Sequence, residues 1–246
     1  MISAKSLFPD STANVCGLVI KLDINDEILN DKYIPISDLI YSRYKKNKRD
    51  RQIFGLSGSS GSGKSVLASI ISRIFKKIYD VPFFIISIDG FHYYNNCLIS
   101  IKDKKGIETG TLKDFKGRYD TYDTVLLNNK LNGFLSDADI SFPEYSRQIH
   151  DPIPDKIIID CKNAILLIEG LWIFSDYPGW KEIKEKIDYK IFISSEEKVN
   201  RERVIRRFII GGRTREQAEA HYNRSDRNNF DLVEFSKGNA DKVINL

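Results

Sequence analysis

At 246 residues, with 41% hydrophobic and 29% charged side chains, the chain has room for one α/β domain with insertions, or for one domain and a small appendage, and its composition is that of a globular protein. A net charge of +4 is too mild to commit it to nucleic acid or a membrane surface, and no apolar run approaches the length of a membrane span. Cys16, Cys97 and Cys161 are odd in number and widely spaced, which excludes a disulfide framework and a zinc pattern and points to a reducing, cytoplasmic setting; Pro9 and Asp10 interrupt any secretory signal.

In chain order, residues 1–34 form an extension whose candidate roles are a dimer contact, a substrate cover or a disordered lead. Val15 to Leu22 reads as a short strand, Asp23 to Asp31 as a polar connection or short helix, and Pro35 as a break. Ser37 to Lys46 reads as a helix with Ser37 as its N-cap. The basic tract Lys45 to Arg51 is expected to cap that helix. Asn47 to Asp50 spell the guanine-selective NKxD, but ahead of any phosphate loop, so the match is taken as chance.

Ile53 to Leu56 is an apolar run of strand type, followed by GSSGSGKS and then by Val66, Leu67, Ala68, Ile70, Ile71, Ile74 and Phe75 at helical spacing. Strand, glycine-rich turn and helix together satisfy G-x-x-x-x-G-K-[ST] in the context that motif requires. Gly58, Ser59, Ser60, Gly61, Ser62 and Gly63 would offer backbone N–H groups to a phosphate chain, Lys64 a full positive charge, and Ser65 a hydroxyl to magnesium. Val81 to Ile88 reads as a parallel strand delivering Asp89 beside that loop, since open α/β sheets bind ligands beyond the carboxyl ends of their strands.

Beyond Tyr93 the regular alternation lapses. Lys102 to Lys116 reads as a mobile loop, Tyr122 to Leu135 as a helix, Ile140 to Tyr145 as a short strand broken at Pro143, and Ile157 to Asp160 as another; an insertion here is a natural substrate pocket. Ala164 to Ile168 is a buried strand ending in Glu169, a second acid at a strand's carboxyl end, and Leu171 to Phe174 reads as core. Tyr189 to Ser194 reads as a strand and Glu196 to Ile210 as a helix with Arg203, Arg206 and Arg207 on one face. Gly211 and Gly212 interrupt it before a second helix opened by Arg213 and Arg215. Helix, glycine hinge and helix with arginines describe a lid that closes over phosphates. Asp241 to Leu246 reads as the last core strand.

Taken in order, GSSGSGKS (58–65), DGFHYYN (89–95), FPEYSRQIHDPIPD (142–155), IEG (168–170), RRFIIGGRTREQAEAH (206–221), NRSD (223–226) and NADKVI (239–244) resemble the P-loop kinase family of uridine kinase, phosphoribulokinase and type I pantothenate kinase, and within it a uridine-kinase-like branch of uncertain substrate. The resemblance covers about residues 35–246. It implies an α/β P-loop NTPase-type three-layer sandwich with a mainly parallel five-stranded sheet, a substrate-site insertion at about 93–160 and a helical lid at about 203–222. It implies ATP and Mg2+ as cofactors and a small-molecule hydroxyl as acceptor, with no nucleic acid or membrane partner. Asp89 matches the catalytic base, Lys64 and Ser65 the phosphate and magnesium positions, Glu169 a second acid near the metal, and Arg206, Arg207 and Arg213 lid positions. His92, Tyr93, Tyr145, Arg147 and His150, with Arg118 and Tyr119, fall where relatives line the acceptor site. Segment 93–122 matches neither the uridine nor the pantothenate pattern, so the acceptor's identity does not carry over. The reading is therefore an ATP-dependent kinase acting on a metabolite such as a nucleoside, sugar, polyol or pantothenate-like alcohol. Its rivals are an ATPase or GTPase switch acting on a protein partner, a nucleic-acid module, and an inert relative; a homodimer stays open.

Overall fold

The computed structural model describes residues 2–15, 18–100 and 111–245. The elements run α1 (Ala4–Leu7), β1 (Thr12–Val15), β2 (Leu18–Lys21), α2 (Asp26–Ile28), α3 (Ile34–Lys46), β3 (Arg51–Gly58), α4 (Lys64–Ile78), β4 (Phe83–Ser87), α5 (Asn95–Ser100), α6 (Thr124–Leu135), β5 (Ile140–Ser146), β6 (Asp151–Ile159), β7 (Ala164–Gly170), α7 (Trp180–Glu185), β8 (Tyr189–Ser194), α8 (Glu197–Ile210), α9 (Arg215–His221), α10 (Arg227–Phe235) and β9 (Lys242–Asn245).

Five strands form one parallel sheet in the order β4-β7-β3-β8-β9. Every residue of β3 and β7 is buried, as their unbroken apolar runs require of strands covered on both faces. Alternation divides the core in two. Ile53, Leu166, Ile168 and Phe192 pack with α6 (Leu127, Leu131, Phe134) and with Trp172 and Trp180 on one face. Phe54, Leu56, Ile165, Leu167, Ile191 and Ile193 pack with α3 and α4 on the other. Full burial of each such side chain is worth about 1.5–3 kcal/mol. The result is the α/β three-layer architecture expected of the motif set, with the phosphate loop at the carboxyl edge of its central strand. Among the described residues no helix is long and apolar enough to cross a membrane.

Several local expectations are corrected. In place of one strand from Val15 to Leu22 there are two, β1 and β2, paired antiparallel, and Ala13, Leu22, Leu29 and α1 pack on Ile70 and Ile74 of α4. Pro35 does not break the chain: it lies in the first turn of α3, where its missing N–H costs nothing, directly after a π-turn at Leu29–Tyr33. Ser37 is inside that helix, its hydroxyl donating to the Tyr33 carbonyl, and caps nothing. Lys45 and Lys46 do end α3, but Arg51 is buried in β3, donating to the carbonyls of Phe134, Ala138 and Cys161. Residues 47–50 precede the amino end of β3, the far edge from the loop.

Pro143 does not end its strand. It occupies a register shift between Phe142 and Glu144, and β5 pairs with β6 as a two-stranded hairpin carrying Pro152 and Pro154. The expected mobile loop at 102–116 falls largely outside the described residues, and its end is a short 3-10 turn, Leu112–Phe115, held by a capping box from Thr111 and Asp114. Trp172, Ile173 and Phe174 are core, as read. β9 is the sheet's outer strand and mostly exposed, so it edges the core rather than completing it.

Candidate active site

Register alone gathers the acids. Glu169 of β7 lies abreast of Leu56 in β3 and of Ser87 in β4, and Asp89 follows Ser87 in a 3-10 turn, Ile88–Phe91. The phosphate loop leaves β3 between these strand ends. Its backbone is left-handed at Gly61 and Gly63, and a Cβ on Gly61 would sit 2.5 Å from the Asn200 carbonyl oxygen of α8, so only glycine fits. Lys64 is buried, its Nζ donating to the carbonyls of Gly58 (2.7 Å) and Ser59 (3.0 Å). Burial lowers its pKa to about 8, opposed by the charges of Glu169 and Asp89. Burial likewise raises the Glu169 carboxyl, opposed by Lys64, while the Ser65 hydroxyl donates to Glu169 Oε1 at 3.0 Å.

Two observations fit a phosphate chain with a hard cation. Ser62 Oγ is fully buried without a hydrogen-bond partner among the described residues, while the Ser62 N–H donates to the Ser59 carbonyl within the loop. The Ser65 hydroxyl and the Glu169 and Asp89 carboxylates offer only oxygen, the donor type that a hard cation such as magnesium takes.

Residues expected to line an acceptor site stand near Asp89. Gly90 is required there because a Cβ would lie 2.6 Å from the Pro143 carbonyl oxygen as β5 crosses the turn. His92 is buried, stacks on Tyr122 with centroids 3.9 Å apart, and has Tyr145 6.0 Å away at an angle. Its Nδ1 lies 3.1 Å from the Thr121 carbonyl, which can only accept, so Nδ1 carries the hydrogen and Nε2 faces Asp89 Oδ1 at 4.0 Å. Burial lowers its pKa to about 4 and keeps the ring neutral. Tyr93 and Tyr119 line a 370 Å³ cleft with Tyr122 and Tyr177. A larger cavity, 640 Å³, is walled by α1 and residues 24–27 and contains none of the expected site residues.

The remaining expected residues divide. Tyr145 carries Lys116 over its ring at 5.0 Å, while Arg118 is drawn into an ion pair with Asp120 at 2.6 Å. Arg147 and His150 sit in the turn of the β5–β6 hairpin. His150 is exposed with φ +56°, and its carbonyl accepts from Lys116 and Asn95, so its fixed contribution is backbone. In the lid, Arg206 and Arg213 are exposed, Arg213 lying over Phe208 at 4.7 Å, whereas Arg207 is half-buried and its charge acts on Lys64. Arg203 reaches the loop, donating to the Gly61 carbonyl at 3.2 Å.

Two loop neighbours escaped the sequence reading. Glu234 of α10 accepts from the Ser59 hydroxyl at 2.9 Å, and Asp226, at the end of a π-turn Tyr222–Asp226, is near enough for its charge to act on Lys64. The only signal was NRSD, a motif with no role attached.

The profile of the phosphoribulokinase/uridine kinase family matches residues 53–246. An uncharacterised protein of Escherichia coli, YggC, is 29% identical over 94% of this chain and 93% of its own. A pantothenate kinase of Streptococcus agalactiae is 30% identical over 76% of this chain and 63% of its own. Among solved structures, a Silicibacter protein provisionally called a fructose transport system kinase superposes with TM-score 0.76 at 22% identity, over 87% of this chain and 98% of its own. D-glycerate 3-kinase of Cryptococcus neoformans superposes with TM-score 0.63 at 14% identity, over 87% of this chain and 95% of its own.

Proposed function

The chain belongs to the phosphoribulokinase/uridine kinase family and is a kinase, and we propose that it moves the γ-phosphoryl group of ATP to a hydroxyl of a small metabolite, with Asp89 receiving the hydroxyl proton. The observation that carries this reading is the meeting of Lys64, Ser65, Glu169 and Asp89 at one strand edge, with the aromatic cleft beside it. ATP bound with Mg2+ would supply the phosphoryl group and the cation that spreads its charge.

The chain's own part is to hold and to exclude. The amides of residues 58–65 and the unpartnered Ser62 hydroxyl would bind phosphate oxygens, and Lys64 would leave the loop carbonyls for them. Ser65, Glu169 and Asp89 would hold Mg2+. Arg206, Arg207 and Arg213 would close on the phosphates as the hinge at Gly211 and Gly212 moves. Neutral His92 would fix the side of Asp89 that faces the acceptor, with Tyr93, Tyr119 and Tyr145 as apolar walls. Arg118, Arg147 and His150 would stand at the rim of the same cleft.

In this reading residues 35–246 are the kinase domain, and residues 1–34 an extension carried on α4. The thiol of Cys161 suits a cytoplasmic setting. The test is incubation with Mg·ATP and a panel of nucleosides, sugars, polyols and pantothenate, read as a mass gain of one phosphoryl group. Transfer to an acceptor that needs both Asp89 and Lys64 supports the assignment; nucleotide hydrolysis with no acceptor product contradicts it.

A further inference from the structure

The segment that follows the lid is tied to both halves of the site. At one end of α10, Asn229 Nδ2 donates to the Gly117 carbonyl (3.3 Å), which also accepts from Trp172 Nε1 (2.9 Å) in the wall of the insertion. At its other end Glu234 holds Ser59 of the phosphate loop (2.9 Å). Asp226 precedes Asn229 by three residues and so shares its helix face. It stands at the helix's N-cap position yet makes no capping bond, because the preceding π-turn gives it helical backbone angles, φ −66° and ψ −36°. The carboxylate is half-buried and forms no hydrogen bond or ion pair among the described residues. Its charge is felt by Lys64, by the buried Tyr122, on which the charges of Asp89 and Glu169 also act, and by His221 and Tyr222 just before it. π-turns of this kind recur at functional sites.

We infer that Asp226 is an acceptor-binding residue, its carboxylate accepting a hydrogen bond from a second hydroxyl of the molecule whose first hydroxyl faces Asp89. The inference rests on the kinase reading above and narrows it. An ionised carboxylate can only accept, so a ligand spanning Asp89 and Asp226 brings two donors. That chemistry is a polyhydroxylated acceptor. Lys116 is engaged with Asp151 and Arg118 with Asp120, whereas the Asp226 carboxylate has no such partner among the described residues.

The experiment is steady-state kinetics with Mg·ATP and paired acceptors that differ by one hydroxyl: glycerol and 1,3-propanediol, D-ribose and 2-deoxy-D-ribose, uridine and 2′-deoxyuridine. Asp226→Ala is expected to raise the KM of the accepted polyol about tenfold to a hundredfold, the scale of a lost hydrogen bond to a charge, well beyond any change in the KM for ATP. The deoxy partner should suffer a similar rise with the unaltered enzyme and little further rise with Asp226→Ala, because both changes delete one contact. Asp226→Asn, which keeps the shape and one acceptor oxygen, should show the same pattern in smaller degree and replaces the alanine variant if that one fails to fold. An unchanged acceptor KM, or penalties that multiply, overturns the role of Asp226 while leaving phosphoryl transfer standing. No transfer to any acceptor by the unaltered enzyme overturns the kinase reading and this inference together.

Discussion

The strand-end rim and the helical lid both carry charged groups, but they are built in opposite ways. At the rim, Lys64 and Glu169 are buried and every bond they make is internal, Lys64 to loop carbonyls and Glu169 to Ser65. In the lid, Arg206 and Arg213 are exposed, and their helices share only a small core of Val204, Ile205, Ala218 and Tyr222. Charges held at the rim have lost their water before any ligand arrives, so their field acts at full strength and their cost is borne by the fold. Charges on the lid helices remain hydrated and, in the proposed reading, would become effective only on closure. Rim substitutions should therefore change chemistry and stability together, and lid substitutions chemistry alone.

The largest contrast is expected at the rim. Lys64→Ala and Glu169→Gln should each lower kcat by about 10²–10³, the scale of a lost transition-state contact. Glu169→Gln should also shift the melting temperature, since it removes a buried charge that faces the buried Lys64. A kcat loss with an unchanged melting temperature would break the comparison. Next comes His92, whose buried ring resists protonation down to about pH 4 against an ordinary value of 6.5. The unfolded chain takes up that proton first, so stability should fall as pH drops from about 6.5 to about 4, by up to about 3 kcal/mol. Denaturant melts of His92→Phe across that range should lack this part of the slope. The smallest effect belongs to the lid. Arg213→Ala should lower kcat about tenfold with the melting temperature unchanged, because its contact with Phe208 is a surface one.

The rim was legible in the sequence because the same residues that make it also make the fold. An apolar run specifies β3, glycines specify its turn, and a carboxylate directly after an apolar run, Asp89 or Glu169, can only emerge at a strand's end. The insertion was less legible. Pro143, Pro152 and Pro154 argue against strands, yet β5 and β6 form a hairpin of their own outside the main sheet, where a proline at a register shift or on an outer strand is tolerated. Pro35 misled for a related reason: a proline in a first helical turn is as comfortable as one in a break. Asp226 and Glu234 could not be read as site residues, since nothing periodic distinguishes an exposed acid on α10 from one turned towards the loop. Their placement depends on a π-turn and on the packing of the chain's last helix.

The central claim is that Asp89 serves a hydroxyl acceptor held beside the phosphate loop. Its most direct measurement is the mass spectrum of the acceptor panel after incubation with Mg·ATP and either the unaltered protein or Asp89→Asn, with nucleotide affinity measured in parallel. The account predicts a single phosphoryl gain on one class of acceptor, reduced at least about a hundredfold in the variant while nucleotide still binds. Equal phosphorylation by both proteins would contradict it.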